Sequence, residues 1–238
     1  MSFQYFLRVF CRLCAIGCTV FAPLDTACAE SVAQRSSANV PLAPADVMKP
    51  DAVILHIHDE IEDTGFLPHL ERKLRERLNP PVTAQTLALD IQPLRGNGLI
   101  DASLLIDRLA GAIDWDKNRR IIHVFVVKDD FRVPPANFNF AVSAGTASSP
   151  FHVVVVSLAR LQESRLFDAK RDSSPARTAE RVYKMVAKNV AKVSGYAGST
   201  RCLFSFPRNL AELDATAEGF CEPDLSILSA AGIARQLR

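Results

Sequence analysis

Long apolar stretches limit how this chain can fold. Residues 121–130 (IIHVFVVKDD) and 151–161 (FHVVVVSLARL) contain continuous apolar runs, and residues 52–58 (AVILHIH) form a shorter run rich in β-branched side chains. Such runs are typical of β-strands that are covered on both faces. Residues 65–79 and 101–113 instead repeat apolar side chains at helical spacing. This alternation predicts an α/β fold with a mixed β-sheet flanked by helices.

A long helix is predicted from about residue 175 to residue 194. Ser173 and Ser174 are suitable N-caps, Pro175 suits the first turn, and Gly195 is a natural left-handed stop. One face of this helix is apolar, and another carries a stripe of three lysines: Lys184, Lys188 and Lys192. Taken alone, such a stripe is best interpreted as a solvated helix face.

The N-terminal segment indicates export. Arg8 and Arg12 precede or interrupt an apolar run, and Ala27-Cys28-Ala29 has the small-residue spacing of a cleavage site, so residues 1–29 are predicted to be a secretory signal peptide. An uncleaved membrane anchor is the alternative, but the run is shorter than the ~20 residues that a spanning helix needs. We therefore expect a periplasmic or secreted protein that leaves the membrane after cleavage. Residues 30–50 are predicted to be a flexible leader, and residues 51–238 to be the domain.

The cysteine content and the net charge of the mature chain limit its possible cross-links and ligands. Cleavage after residue 29 leaves only Cys202 and Cys221, which in an oxidising compartment most simply form one disulfide. The net charge of the whole chain is +2, and removal of two Arg and one Asp with the signal peptide leaves +1. This balance offers no electrostatic basis for binding nucleic acid.

Four short motifs follow one another along the chain. Arg95 precedes DASLLIDRL, residues 137–140 (NFNF) follow a strand that ends in two Asp, residues 153–161 read VVVVSLARL, and residues 211–221 read AELDATAEGFC. Taken in this order, they resemble the archaemetzincin (archaelysin) family of metzincin-type zinc peptidases. The resemblance extends over roughly residues 52–224. It implies a metzincin-like zincin fold in which the long helix is the former active-site helix.

The catalytic motif of that family is replaced in this chain. The family helix carries H-E-x-x-H-x-x-G-x-x-H, whose three His bind zinc and whose Glu is the base. Only the first glycine is kept at the corresponding positions: Lys188, Asn189, Lys192, Gly195 and Gly198. A protonated Lys has no lone pair for a cation, and Asn cannot act as a general base. Since no histidine follows His152, the zinc cofactor expected from the resemblance is predicted to be lost.

A second family metal site, built from four cysteines, is also altered. Its positions are occupied by Ser199, Cys202, Cys221 and Asp224, so a disulfide would fasten the loop that a metal holds in the family. The methionine that the family places below its zinc corresponds to Phe204.

Few other residues suggest chemistry. His56 and His58 form an H-x-H pair on one strand face, which could begin a zinc site, but no third ligand is identifiable and ordinary strand-end histidines are the alternative. His123 and His152 are expected in the core with their polar atoms satisfied. Asp129 and Asp130 follow a strand, where they are best explained by a turn or a helix cap.

Two functions from different classes remain open. The first is a catalytically inactive pseudopeptidase that binds a peptide or protein partner or has a structural role. The second is an active zinc-dependent hydrolase with a relocated site, built around His56 and His58. The lysine stripe is expected to face the former cleft, where Lys184, Lys188 and Lys192 would favour acidic groups of a ligand. The sequence does not indicate an oligomeric state.

Overall fold

The central feature of the fold is a five-stranded sheet between two layers of helices. The computed structural model describes residues 47–95, 99–162 and 174–236, so the predicted signal peptide and most of the predicted leader lie outside the described residues. The strands are β1 Ala52–His58, β2 Val82–Leu87, β3 Ile100–Asp101, β4 Ile121–Val127, β5 Phe131–Arg132, β6 Ala141–Ala144 and β7 Val153–Ser157. The helices are α1 Leu67–Arg77, α2 Ala102–Ala110, α3 Pro175–Val193, α4 Leu210–Ala215 and α5 Asp224–Ala230.

The sheet is mixed, with one antiparallel strand at its edge. Its order is β2-β1-β4-β7-β6, and every neighbouring pair is parallel except β6 and β7. The short strands β3 and β5 pair separately and are also parallel. The prediction of an α/β fold with a mixed sheet is therefore confirmed. Because β6 pairs with β7 on one side only, its other side is a sheet edge.

Alternate residues of the strands divide the core into two parts. Val53, Leu55 and Ile57 of β1 lie in the larger cluster, which also contains the buried faces of α1 and α3. Phe125 and Val127 of β4 lie in a second cluster with Leu and Ala side chains of α2. Since neighbouring strand residues point to opposite faces, the continuous apolar runs in the sequence cover both sides of one sheet.

Local signals in the sequence set both ends of α3. The Ser174 hydroxyl accepts a hydrogen bond from the Arg177 amide, and Pro175 occupies the first helical turn. At the other end Gly195 has a φ of 96°, which lets the Tyr196 amide reach back to the Ala191 carbonyl at 3.0 Å. The predicted start and end of this helix are confirmed.

The domain begins earlier than the sequence predicts. Val47 is buried in the core, and the Met48 amide donates to the Ser194 carbonyl at 2.8 Å. The prediction of a flexible leader over residues 30–50 is therefore wrong for residues 47–50, because these residues bury an apolar side chain and close the end of α3. In the ranges that the structure describes, no helix combines the length and apolar character needed to cross a bilayer.

A group of buried aromatic and imidazole rings lies on the α2 side of the sheet. His56 Nε2 and His123 Nδ1 are 2.8 Å apart, and the two rings are stacked with centroids 5.1 Å apart. Phe125 stacks on His56, and Trp115 meets His123 edge-on. The predicted core position of His123 is confirmed, but its Nε2 has no hydrogen-bond partner in the described part of the chain.

Because these histidines are buried, we expect the folded protein to lose stability in acid. Burial lowers the pKa of His56 and of His123 from 6.5 to about 4, and for His123 the neighbouring His56 and His152 lower it further. The unfolded chain therefore takes up protons first as the pH falls. We expect the free energy of unfolding to be unaffected by this pair above about pH 6.5 and to fall by a few kcal/mol between pH 6.5 and 4.

Urea unfolding monitored by circular dichroism across this pH range measures the effect. Replacing both residues by leucine (H56L/H123L) should flatten the pH dependence, whereas H69Q, which alters a histidine on α1 outside this group, should leave it unchanged. An unaltered slope in the double variant would show that other groups cause the acid sensitivity.

Candidate functional site

A cleft of about 250 Å³ lies between α3, the edge strand and a loop near the C-terminus. Residues 137–141 form one wall, and residues 206–208 form the other. The floor comes from α3, through Met185, Lys188, Asn189 and Lys192. Lys188, Asn189 and Lys192, which the resemblance aligns with the zinc motif, therefore lie together in one cleft.

Lys188 carries a positive charge to the base of this cleft. Its side chain is 5% exposed, and its ammonium donates to the Ser205 carbonyl at 2.6 Å. The ammonium also lies 5.4 Å from the centre of the Phe206 ring. Burial, reinforced by the charge of Lys192, lowers the pKa of Lys188 to about 8. No carboxylate among the described residues forms an ion pair with it.

The other two lysines of the stripe differ from Lys188. Lys192 is more exposed and also borders a neighbouring surface depression beside Tyr196. Lys184 is 1% exposed, pairs with Glu180 at 2.9 Å and donates to the Leu213 carbonyl at 3.0 Å. The prediction that Lys184 faces the cleft as a ligand-binding group is therefore wrong. Lys184 precedes Lys188 by four residues, which is one helical turn plus about 40° of rotation. This rotation points Lys184 away from the cleft and toward α4.

Asn189 is fixed by its own helix. It is 6% exposed, and its amide Nδ2 donates to the Met185 carbonyl one turn earlier at 2.8 Å. Asn189 is therefore hydrogen-bonded and largely buried. Its Oδ1 has no hydrogen-bond partner among the described residues, so a free acceptor remains in the lining of the cleft.

An aromatic ring fills the space beside Gly198. Gly198 has a φ of 75°, and a Cβ at this position would overlap the ring of Phe204. Phe204 is buried and held between Tyr196 and Phe220, with ring centroids 5.6 and 5.3 Å away. A larger residue at position 198 would therefore require both a left-handed backbone and displacement of a packed ring.

The residues at this site do not fit zinc. A zinc site needs three or four donor atoms with lone pairs at roughly 2.0–2.3 Å. Lys188 presents an ammonium that is itself a donor, Asn189 is bonded to its helix, and Gly198 has no side chain. Within the described ranges there is also no group of three or more His, Cys, Asp and Glu residues that could hold a metal.

The four positions that the resemblance compares with a second metal site form two bonded pairs. Cys202 and Cys221 form the predicted disulfide, with their Cα atoms 5.9 Å apart. Asp224 is buried and accepts hydrogen bonds from the Ser199 hydroxyl at 2.5 Å and the Tyr196 hydroxyl at 2.6 Å. Cys202 and Cys221 are thus joined to each other, and Ser199 is likewise joined to Asp224.

His56 and His58 lie away from the cleft and face different partners. His56 is engaged with His123, and His58 Nε2 donates to the Leu89 carbonyl at 2.8 Å. His56 packs on Phe125 in the α2-side cluster, so it lies across the sheet from α3. The structure therefore brings His56 together with His123, whereas His58 binds Leu89 and neither histidine lines the cleft.

A network of ion pairs lies at the end of the sheet where the parallel strands finish, and the sequence did not predict it. Arg95 binds Asp129 at 2.5 and 2.7 Å and Glu60 at 2.5 Å. Arg160 binds Asp130 at 2.6 Å. The interpretation of the two aspartates as a turn or helix cap is therefore wrong. The carboxyl ends of β1, β4 and β7 lie side by side at this end of the sheet. Charged residues from distant parts of the sequence are therefore close together there.

Arg160 connects this network to the cleft. Its guanidinium lies 4.5 Å from the centre of the Phe138 ring, and Phe138 meets Phe140 edge-on. Both phenylalanines belong to the wall formed by residues 137–141. The resemblance had drawn attention to Arg95, Asp129 and Arg160, and this was the only signal in the sequence for their grouping.

The sheet and the helices around it have a fold similar to that of solved archaemetzincin structures. Solved structures with this fold include an archaemetzincin from Methanopyrus kandleri, with 20% identity, a TM-score of 0.57, and coverage of 81% of this chain and 98% of that one. A second is an archaemetzincin from Archaeoglobus fulgidus complexed with malonate, with 15% identity, a TM-score of 0.55, and coverage of 75% and 99%.

A third is a zinc-dependent peptidase from Methanocorpusculum labreanum, with 18% identity, a TM-score of 0.57, and coverage of 76% of this chain and 100% of that one. No family model and no curated protein matches the sequence. The predicted resemblance is thus confirmed at the level of the fold.

Restoring the motif alone should not restore zinc binding. In the variant K188H/N189E/K192H/G198H, the new side chain at position 198 must displace the Phe204 ring. We expect this protein, dialysed against zinc and then buffer, to hold well below one zinc per chain by elemental analysis. Adding Phe204→Ala should raise the zinc content. Stoichiometric zinc in the fourfold variant, with its fold intact by circular dichroism, would show that Phe204 is no obstacle.

The disulfide should contribute substantially to stability. It joins residues 19 apart, and closing a loop of this length stabilises the folded state by about 3 kcal/mol. We expect the free energy of unfolding of C202A/C221A, measured in urea, to be lower by that amount. Peptide mass mapping of the wild-type protein should find Cys202 and Cys221 as free thiols only after reduction. Free thiols at Cys202 and Cys221 in protein isolated without reductant would contradict the pairing.

Proposed function

We propose that this chain is a pseudopeptidase: it binds a peptide segment of a partner protein in the cleft above α3 and does not hydrolyse it. The observation that carries the proposal is the replacement of the metal-ligand and base positions by Lys188, Asn189 and Lys192 in a cleft with aromatic walls. The chemistry is altered where catalysis would occur, while a concave surface remains.

The residues in the cleft argue against hydrolysis. The mechanism of zinc peptidases needs a Lewis acid to activate water and a base to take its proton. Lys188 offers an ammonium, and the Asn189 amide has no basic site at neutral pH. Neither group can perform the role of the residue that occupies its position in the family motif.

The walls of the cleft favour a peptide as the ligand. β6 is an edge strand, and an edge can accept an extended peptide as an additional strand. Phe206 is 78% exposed and stands beside the cleft, where it can contact an apolar side chain. The volume of about 250 Å³ is below the roughly 300–1,000 Å³ of typical small-molecule sites, so it suits one peptide residue better than a whole ligand.

Export to the periplasm or cell exterior belongs to the same proposal. The disulfide between Cys202 and Cys221 supports an oxidising compartment. The alternative function, a zinc hydrolase with a relocated site at His56 and His58, is less well supported because His56 is engaged with His123 and His58 with Leu89.

Metal content and peptidase activity test the loss of catalysis. After dialysis against zinc and then buffer, we expect substoichiometric metal by elemental analysis and no chelator-sensitive cleavage of a fluorogenic peptide library. One bound zinc together with such cleavage would overturn the proposal and favour the relocated site.

A separate experiment tests whether peptides bind in the cleft. A soluble combinatorial peptide library with free termini is incubated with the immobilised full-length protein, and the retained peptides are quantified by mass spectrometry. Phe206→Ser should reduce retention several-fold, because it removes an exposed apolar contact. The control Leu104→Ser changes a similarly exposed residue (54%) on α2 and should have no effect. Equal retention by both variants would exclude the cleft as the site.

A further inference from the structure

We infer that the base of the cleft binds the C-terminal carboxylate of a peptide whose last residue has an aromatic or aliphatic side chain. The inference rests on the proposed peptide binding and specifies which part of the peptide is recognised. Three groups carry it: the Lys188 ammonium, the Asn189 side-chain oxygen and the exposed ring of Phe206.

Lys188 provides a positive charge that has no counter-ion among the described residues. An ammonium has three donors, and the Ser205 carbonyl accepts from only one of them. Lys188 is 5% exposed and lines the cleft, so a ligand in the cleft can reach its ammonium. A carboxylate entering the cleft would satisfy the other two donors and neutralise a nearly buried charge.

Asn189 and Phe206 indicate that this carboxylate ends a peptide chain. The last residue of a peptide presents a carboxylate, an amide N–H and a side chain from a single Cα atom. Asn189 Oδ1 is a free acceptor next to Lys188 in the same cleft and can take that N–H. Phe206, whose ring lies 5.4 Å from the Lys188 ammonium, offers an apolar surface for the side chain.

The chemistry of the cleft favours a carboxylate over a phosphate. Phosphate sites commonly add guanidinium forks, helix N-termini or clusters of backbone N–H groups to any lysine. Arg208, the arginine of the cleft wall, is engaged with Glu212 at 3.0 Å. Next to the Lys188 ammonium lies a carbonyl oxygen, which repels a doubly charged anion.

Matched probes distinguish a terminal carboxylate from other peptide groups. Fluorescein-labelled pentapeptides ending in Phe, one as the free acid and one as the C-terminal amide, are titrated into the full-length protein and followed by anisotropy. We expect the acid to bind at least about tenfold more tightly, because the amide loses a charge-assisted contact with Lys188. A third peptide, amidated and with Glu before the Phe, should bind like the amide.

Each other outcome has a defined meaning. Equal binding of acid and amide would overturn the terminal-carboxylate inference while leaving peptide binding in place. Tighter binding of the Glu-containing amide would assign the site to an internal acidic side chain instead. Failure of all three peptides to bind would overturn the inference together with the proposed function.

Variants and pH test the role of Lys188. K188M should remove the preference for the acid, whereas K117M, which removes the same charge at an 82% exposed site, should keep it. Because the pKa of Lys188 is about 8, the preference in the wild-type protein should weaken as the pH rises above 8. This pH series needs no variant, so it remains decisive if K188M does not fold. A preference unchanged at pH 9.5 would exclude Lys188 as the carboxylate-binding group.

Discussion

The structure depends on the way in which α3 buries positive charges. A helix enclosed on nearly all sides would normally be apolar throughout, yet α3 buries Arg181, Lys184 and Lys188. Each finds acceptors in the chain that follows: Arg181 binds the carboxylate of Asp214 at 2.7 Å, Lys184 the Leu213 carbonyl and Lys188 the Ser205 carbonyl. Because an unpaired buried charge is costly, these contacts fix the segment after the helix over its surface and so form one wall of the cleft.

Much of the fold could be predicted because its signals are local. The continuous apolar runs identified β1, β4 and β7, and Ser174, Pro175 and Gly195 marked the ends of α3. The edge strand β6 was missed because its sequence, AVSA, carries no strand signal of its own and becomes a strand only by pairing with β7. The short helix α4 was also not predicted, although Asn209 caps it by accepting from the Glu212 amide.

The site was predictable in part, for a different reason. The motif placed Lys188, Asn189 and Lys192 near each other because residues one turn apart share a helix face. It could not show that Lys184 turns toward α4, since a rotation of a few tens of degrees decides between cleft and core. Nor could the motif show that Phe206 lies at the cleft. The position of Phe206 depends on a loop that is held by the Cys202 disulfide and by the hydrogen bond from Lys188 to the Ser205 carbonyl.

The Cys202–Cys221 bond makes the loop after α3 sensitive to redox conditions. A metal centre is complete only where the metal is supplied, and a chelator can dismantle it. The loop after α3 is instead closed by the disulfide and by Asp224, which holds Ser199 and Tyr196. A reductant, rather than a chelator, is therefore the agent expected to open this loop.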